Sequence, residues 1–267
     1  MSLMHILGYF AASLIGISLG LIGGGGSILT VPVLVYLFGI SPILATSYSL
    51  CVVGTTSLVG AFNYQKRGLV SFKTALLFGL SSITTVFLTR KLLIPLIPPT
   101  LGRINGFVIS ASLVIMILFA ILMLIASLKM IRSKTHQESH VADPKLRIPT
   151  LLLYGVLIGL VTGILGAGGG FLIIPTLVLL LNLPMKKAVG TSLLIIAMNS
   201  LIGFLGDIGH FKIDWPFLAV ITGIAIFGIF LGSAVAKRTE GFKLKKGFGW
   251  FVLLMSVFII ISEIIGS

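Results

Sequence analysis

Two stretches of this chain hold the residues whose arrangement could do chemistry. GISLGLIGGGGSILTVP runs from Gly16 to Pro32, and GLVTGILGAGGGFLIIP runs from Gly159 to Pro175. Each sets a glycine cluster between strongly apolar flanks. Glycine costs roughly 1 kcal/mol relative to alanine inside a helix, so each cluster interrupts one. A helix that restarts at Ser27 or Gly170 turns unpaired N–H groups and a positive dipole end toward the break. Gly24, Gly25 and Gly26 before Ser27, and Gly168, Gly169 and Gly170 in the second run, leave that backbone open to close approach. Such a site favours an anion and needs no buried arginine. Ser49 in the first half and Thr191, Ser192 and Asn199 in the second supply hydroxyls and an amide to complete it. Thr46, Ser47 and Ser200 are further hydroxyls on the same segments.

Blander uses of these residues compete with that one. Gly16-x3-Gly20 and Gly159-x3-Gly163 have the spacing of helix-packing faces. Serine and threonine in membrane helices often bond the carbonyl one turn back. The glycine runs could also be structural crossings alone. They are not nucleotide loops, because no lysine follows and no strand precedes. On the anion-site reading, Gly26→Ala and Gly169→Ala keep the fold and lose affinity, whereas substitutions at Gly20 and Gly163 lose folded protein.

Other chemistries find little support. The six acids are Glu138, Asp143, Asp207, Asp214, Glu240 and Glu263, and none sits in the middle of an apolar segment. Asp207, near the end of one, is the nearest candidate for a proton-coupling carboxylate. His5, His136, His140 and His210 form no metal spacing, and the single cysteine, Cys51, excludes an intramolecular disulfide. No catalytic constellation, metal site or cofactor motif is present, so the chain does not read as an enzyme.

The elements that must position these residues are membrane helices. The sequence is 57% hydrophobic and 9% charged, with a mean hydropathy of +1.19; a soluble globule carries about a quarter charged residues. Ten apolar segments lie at about 4–22, 27–39, 43–62, 72–89, 104–128, 149–165, 171–183, 188–206, 215–236 and 247–265. The formal charge of +13 falls in the short loops between them, where the positive-inside rule puts it. Nucleic-acid binding is thereby excluded as a reading. The N-terminus lacks a basic region and a clear cleavage site, so the first apolar run is expected to be retained as a helix.

The two halves repeat in one ungapped register. Gly16, Gly20, Gly23, Gly25, Gly26 and Pro32 lie 143 residues before Gly159, Gly163, Gly166, Gly168, Gly169 and Pro175. The same register carries Ala45, Ser49, Leu50, Ser57 and Gly60 onto Ala188, Ser192, Leu193, Ser200 and Gly203. The expected organisation is a first transmembrane repeat over 1–128, a cytoplasmic linker over 129–148 and a second repeat over 149–267. Counting Lys and Arg on alternate sides of ten crossings gives 15 against 4, which places the linker in the cytoplasm and both termini outside. Arg90 and Lys91 fall on the wrong side of that count and have no explanation at this level. Five segments per half make the repeats inverted relative to each other. The segments at 27–39 and 171–183 are too short to span the roughly 30 Å of hydrocarbon at 1.5 Å per residue, so the glycine breaks should meet near the midplane, as in many secondary transporters.

GLIGGGGSILTVPVL and GILGAGGGFLIIPTL, with AVGTSLLIIAMNS at 188–200, resemble the paired glycine-rich signature of the sulfite exporter TauE/SafE family. The resemblance covers nearly the whole chain; the first half carries ATSYSL at 45–50 where the second has AVGTSL. It implies an all-α, multi-pass protein of the cytoplasmic membrane that moves small anions, especially sulfite, sulfonates and related organosulfur acids. The expected function is export of such an anion by alternating access. The alternatives are an anion channel, an importer, or a membrane-embedded enzyme or assembly subunit. The expected partners are the anion and the lipid bilayer, with homo-oligomerisation left open.

Overall fold

The computed structural model describes residues 3–24, 26–98, 100–104, 107–132, 148–166, 168–181, 183–238 and 241–265. Gly25 and most of the 129–148 linker lie outside them. The architecture is all-α. Helix α1 (Leu3–Ile22) is followed by the short α2 (Gly26–Pro32), which runs on as a π-turn (Val33–Leu37). Pro32 lacks the N–H that would continue the α-helical ladder, and a widened turn accommodates the gap. Then come α3 (Pro42–Gln65), α4 (Phe72–Leu88) with a second π-turn (Thr89–Leu93), and α5 (Ile94–Leu96). The second half holds α7 (Ile148–Leu165), α8 (Gly170–Leu180), α9 (Met185–Asp207), α10 (Trp215–Arg238) and α11 (Gly241–Ile265).

Boundaries follow local chemistry. Pro42 opens α3 at its first position, where a missing N–H costs nothing. The Asp214 carboxylate accepts the Phe217 N–H at 3.1 Å, an N-cap for α10. The fifth apolar segment departs from expectation. Instead of a helix from about 104, an antiparallel hairpin forms from β1 (Thr100–Ile104) and β2 (Phe107–Ser110), and helix α6 (Ala111–Arg132) starts after it. Pro95, Pro98 and Pro99 precede this point and withhold helical donors.

Among the described residues, four helical stretches are long and apolar enough to cross a membrane: Pro42–Gln65, Phe72–Leu96, Lys186–Asp207 and Trp215–Ala236. Their outer faces carry large apolar side chains, among them Phe62, Leu76, Leu80, Phe227 and Phe230. The hydroxyls and Asn199 point inward: Thr46, Ser47, Ser49, Thr56, Ser57, Asn199 and Ser200 are all buried. An apolar exterior around a polar-flecked interior is what a hydrocarbon solvent selects.

Helices α3 and α9 cross at the centre, α1 packs on α10, and α7 packs on α4. The proposed packing glycines do bring backbones together. A Cβ built on Gly20 would lie 2.5 Å from the Ile229 carbonyl oxygen, and one on Gly159 would lie 2.6 Å from that of Ser82. Only hydrogen fits at these positions. Contacts also recur at the spacing seen in the sequence. Gly60 abuts Ile229 and Leu193, whereas Gly203 abuts Val86 and Leu50; each residue of one set stands 143 positions from its counterpart in the other.

Candidate site at the glycine breaks

Helix α1 ends at Ile22, and Gly23 leaves it with φ +78°; α7 ends at Leu165, and Gly166 leaves it with φ +65°. A side chain rarely adopts this left-handed backbone, so glycine at both exits lets the chain reverse into α2 and α8. The two breaks meet. A Cβ built on Gly170 would lie 2.5 Å from the Gly24 Cα, so backbone touches backbone there. Each exit also presses on the central pair. Gly23 lies against Val189 of α9, and Gly166 lies against Thr46 of α3, again 143 residues apart.

The candidate residues divide into three groups. Gly24 and Gly170 form the crossing itself, and Gly168 lies beside Val53, Ile196 and the Ser200 hydroxyl. Several others are already occupied. Ser27 Oγ donates to the Gly24 carbonyl at 2.7 Å, and Ser192 Oγ donates to the Val189 carbonyl at 2.8 Å. Thr191 Oγ1 accepts the Ser71 N–H at 2.9 Å and so fastens the turn before α4. Gly26 packs on the α1 backbone at Ile15 and Leu19, and Gly169, at φ +68°, packs on Thr162. The third group is unpartnered. Ser49 Oγ, Thr56 Oγ1, Ser57 Oγ, Ser200 Oγ and Asn199 Oδ1 are buried without a hydrogen-bond partner among the described residues. Asn199 satisfies only its amide nitrogen, which donates to Ser82 Oγ at 2.6 Å. A buried polar atom left unmatched costs about 1–3 kcal/mol. Along the α3–α9 crossing several accumulate, and a polar ligand passing there would satisfy them.

The packing changes one expectation drawn from the sequence. A β-carbon on Gly26 would overlap the Ile15 carbonyl oxygen, and one on Gly169 would overlap Thr162 Oγ1 from a strained backbone. Alanine at either position is therefore expected to cost folded protein, not affinity alone.

Sequence reasoning left one group out of the site. Arg90, in the π-turn after α4, is wholly buried, and its Nη1 donates to Asp207 Oδ2 at 3.1 Å and to Thr46 Oγ1 at 3.0 Å. The misplaced cation of the charge count is thus the partner of the acid at the end of α9. A basic residue against the charge gradient and an acid closing an apolar segment were the available signals. Lys91 turns away, its Nζ over the Phe87 ring at 5.4 Å from the centroid. Among the described residues no cluster of His, Cys, Asp and Glu could hold a metal.

The profile of the family described as "Sulfite exporter TauE/SafE" matches residues 9–259. A "Probable membrane transporter protein" of Xylella fastidiosa (strain 9a5c) is 30% identical over 256 residues, covering 94% of this chain and 92% of the relative. The "Probable membrane transporter protein YunE" of Bacillus subtilis (strain 168) is 26% identical, covering 82% of this chain and 84% of its own length. A "Probable membrane transporter protein" of Haemophilus influenzae is 24% identical, covering 94% of this chain and 96% of the relative. No solved structure matches. With a match that runs almost end to end and an interior built for a membrane, the chain belongs to the sulfite exporter TauE/SafE family and is a multi-pass membrane transporter of that type.

Proposed function

We propose that the protein is a secondary permease exporting a small oxyanion, of the sulfite, sulfonate or related organosulfur class, across the cytoplasmic membrane. The backbone contact between Gly24 and Gly170 carries this reading, because it joins two helix breaks inside the bundle. Irregular backbone at that depth is tolerated where it lines a cavity or is enclosed by protein. The unpartnered hydroxyls of Ser49 on α3 and of Ser200 on α9, the latter beside Gly168, supply donors for oxyanion oxygens. We further read the two halves as inverted repeats that alternate access to the crossing. The matched contacts at a spacing of 143 residues support that reading, as does the Lys and Arg asymmetry between the two sides.

Pure protein in liposomes is expected to catalyse saturable sulfite flux with counterflow, which an open channel cannot produce. Ser49→Ala and Ser200→Ala remove hydroxyls that bond nothing among the described residues, so both are expected to retain or raise thermal stability. Each should weaken sulfite binding by roughly tenfold, the worth of one lost hydrogen bond near 1.4 kcal/mol. Unchanged affinity in both variants would move the substrate away from the α3–α9 crossing.

The orientation has its own test. Single cysteines at Ser139 and Ser267, in a Cys51→Ser background, are expected to label oppositely with an impermeant thiol reagent in whole cells. Ser267 should react and Ser139 should not. Labelling of both from outside would overturn the inverted arrangement.

A further inference from the structure

Arg90 is fully buried, yet its guanidinium is only partly used. One nitrogen, Nη1, makes both contacts, to Asp207 and Thr46; Nε and Nη2 find no partner among the described residues. The strong mode for arginine with a carboxylate is a two-pronged fork. Here the pair is held by one prong, and the edge formed by Nε and Nη2 is left free. That edge has the spacing of two oxygens on one sulfur or carbon centre. Its surroundings connect it to the glycine breaks. Thr46, which accepts from Arg90, is the residue against which Gly166 packs, and Gly206 lies against the Arg90 side chain at 3.1 Å from the position of a built Cβ.

The other half carries no charged pair at the matching positions. The residues 143 positions from Asp207 and Arg90 are Tyr64 and Ser233. Both are buried and neutral, and Tyr64 donates its hydroxyl to the Gly20 carbonyl at 3.2 Å. A pair of charges placed inside a membrane protein where neutral groups do the equivalent packing points to a ligand-binding role.

We propose that Arg90 is an anion-binding residue of this transporter, its free Nε/Nη2 edge receiving two oxygens of a small oxyanion. Asp207 is the positioning residue: it anchors Nη1 and balances the charge when no anion is present. The inference rests on the reading of the protein as an oxyanion permease and adds a specific cation to its site. Two negative groups then share one positive charge, so bound anion and Asp207 work against each other.

The test is thermal-shift and binding titration of purified protein with sulfite, methanesulfonate and, as a control, chloride. Wild type is expected to respond to the two oxyanions. Asp207→Asn keeps the shape and removes the competing charge, so its sulfite affinity should rise at least tenfold. Arg90→Lys keeps the charge and loses the fork, and its affinity should fall at least tenfold. The double variant Arg90→Met/Asp207→Leu, with no buried charge left, should fold and show no shift. A wild-type response that survives in the double variant, or in Arg90→Lys at undiminished affinity, overturns the role of Arg90 while leaving oxyanion transport in place. Weaker binding by Asp207→Asn overturns it too. If wild type responds to no oxyanion, the transport reading fails and this inference fails with it.

Discussion

Arg90→Met is expected to lower stability by about 3–5 kcal/mol, the usual cost of removing one member of a buried ion pair. The change strands Asp207, whose side chain is 1% exposed, as an uncompensated carboxylate inside the bundle. Adding Asp207→Leu should recover most of the loss, since two apolar side chains of similar volume avoid the desolvation of both charges. The measurement is a double-mutant cycle on thermal unfolding in detergent, with the yield of monodisperse protein as a second readout. A single Arg90→Met variant as stable as wild type would mean that the pair is not formed in the membrane.

Gly170→Val is the second large effect. Its β-carbon would lie 2.5 Å from the Gly24 Cα and 2.6 Å from Ile196 Cδ1. The side chain could turn away, but the backbone of the opposite break cannot. Overpacking of a tight core costs typically about 1–3 kcal/mol, and a backbone clash belongs at the upper end. Folded protein should fall several-fold. Gly223→Ala supplies the control: it meets nothing within 4 Å, and exchanging glycine for alanine in a helix contributes up to about 1 kcal/mol of stability. Equal stability of Gly170→Val and Gly223→Ala would show that the two breaks do not touch.

These two predictions differ in how far the sequence foretold them. Glycine clusters, the 143-residue register and the packing faces are local patterns, so Gly20 and Gly163 could be assigned from spacing alone. The contact of Gly24 with Gly170 followed from two helices too short to span. The Arg90–Asp207 pair could not be read, because 117 residues separate its members and nothing in either neighbourhood names the other. Nor could the hydroxyls be sorted. Ser27 and Ser192 bond carbonyls three residues back, whereas Ser49 and Ser200 do not, and residue type alone does not tell them apart. The hairpin before α6 was masked by an apolar run equally compatible with a helix.

The ion pair also makes the molecule lopsided. One end of the α3–α9 crossing is fastened by charges at Arg90 and Asp207, and the matching position at the other end by a neutral hydrogen bond from Tyr64. Leaving one member of a buried pair without its partner costs about 3–5 kcal/mol, against roughly 0.5–1.5 kcal/mol net for a neutral hydrogen bond. On the alternating-access reading proposed above, two otherwise equivalent doors would therefore carry locks of different strength. The unliganded protein would rest with the Tyr64 side easier to open, and an anion arriving at Arg90 would loosen the stiffer lock by drawing on the same positive charge. On that reading duplication builds two matching gates, and a single charged pair is enough to give them a preferred order.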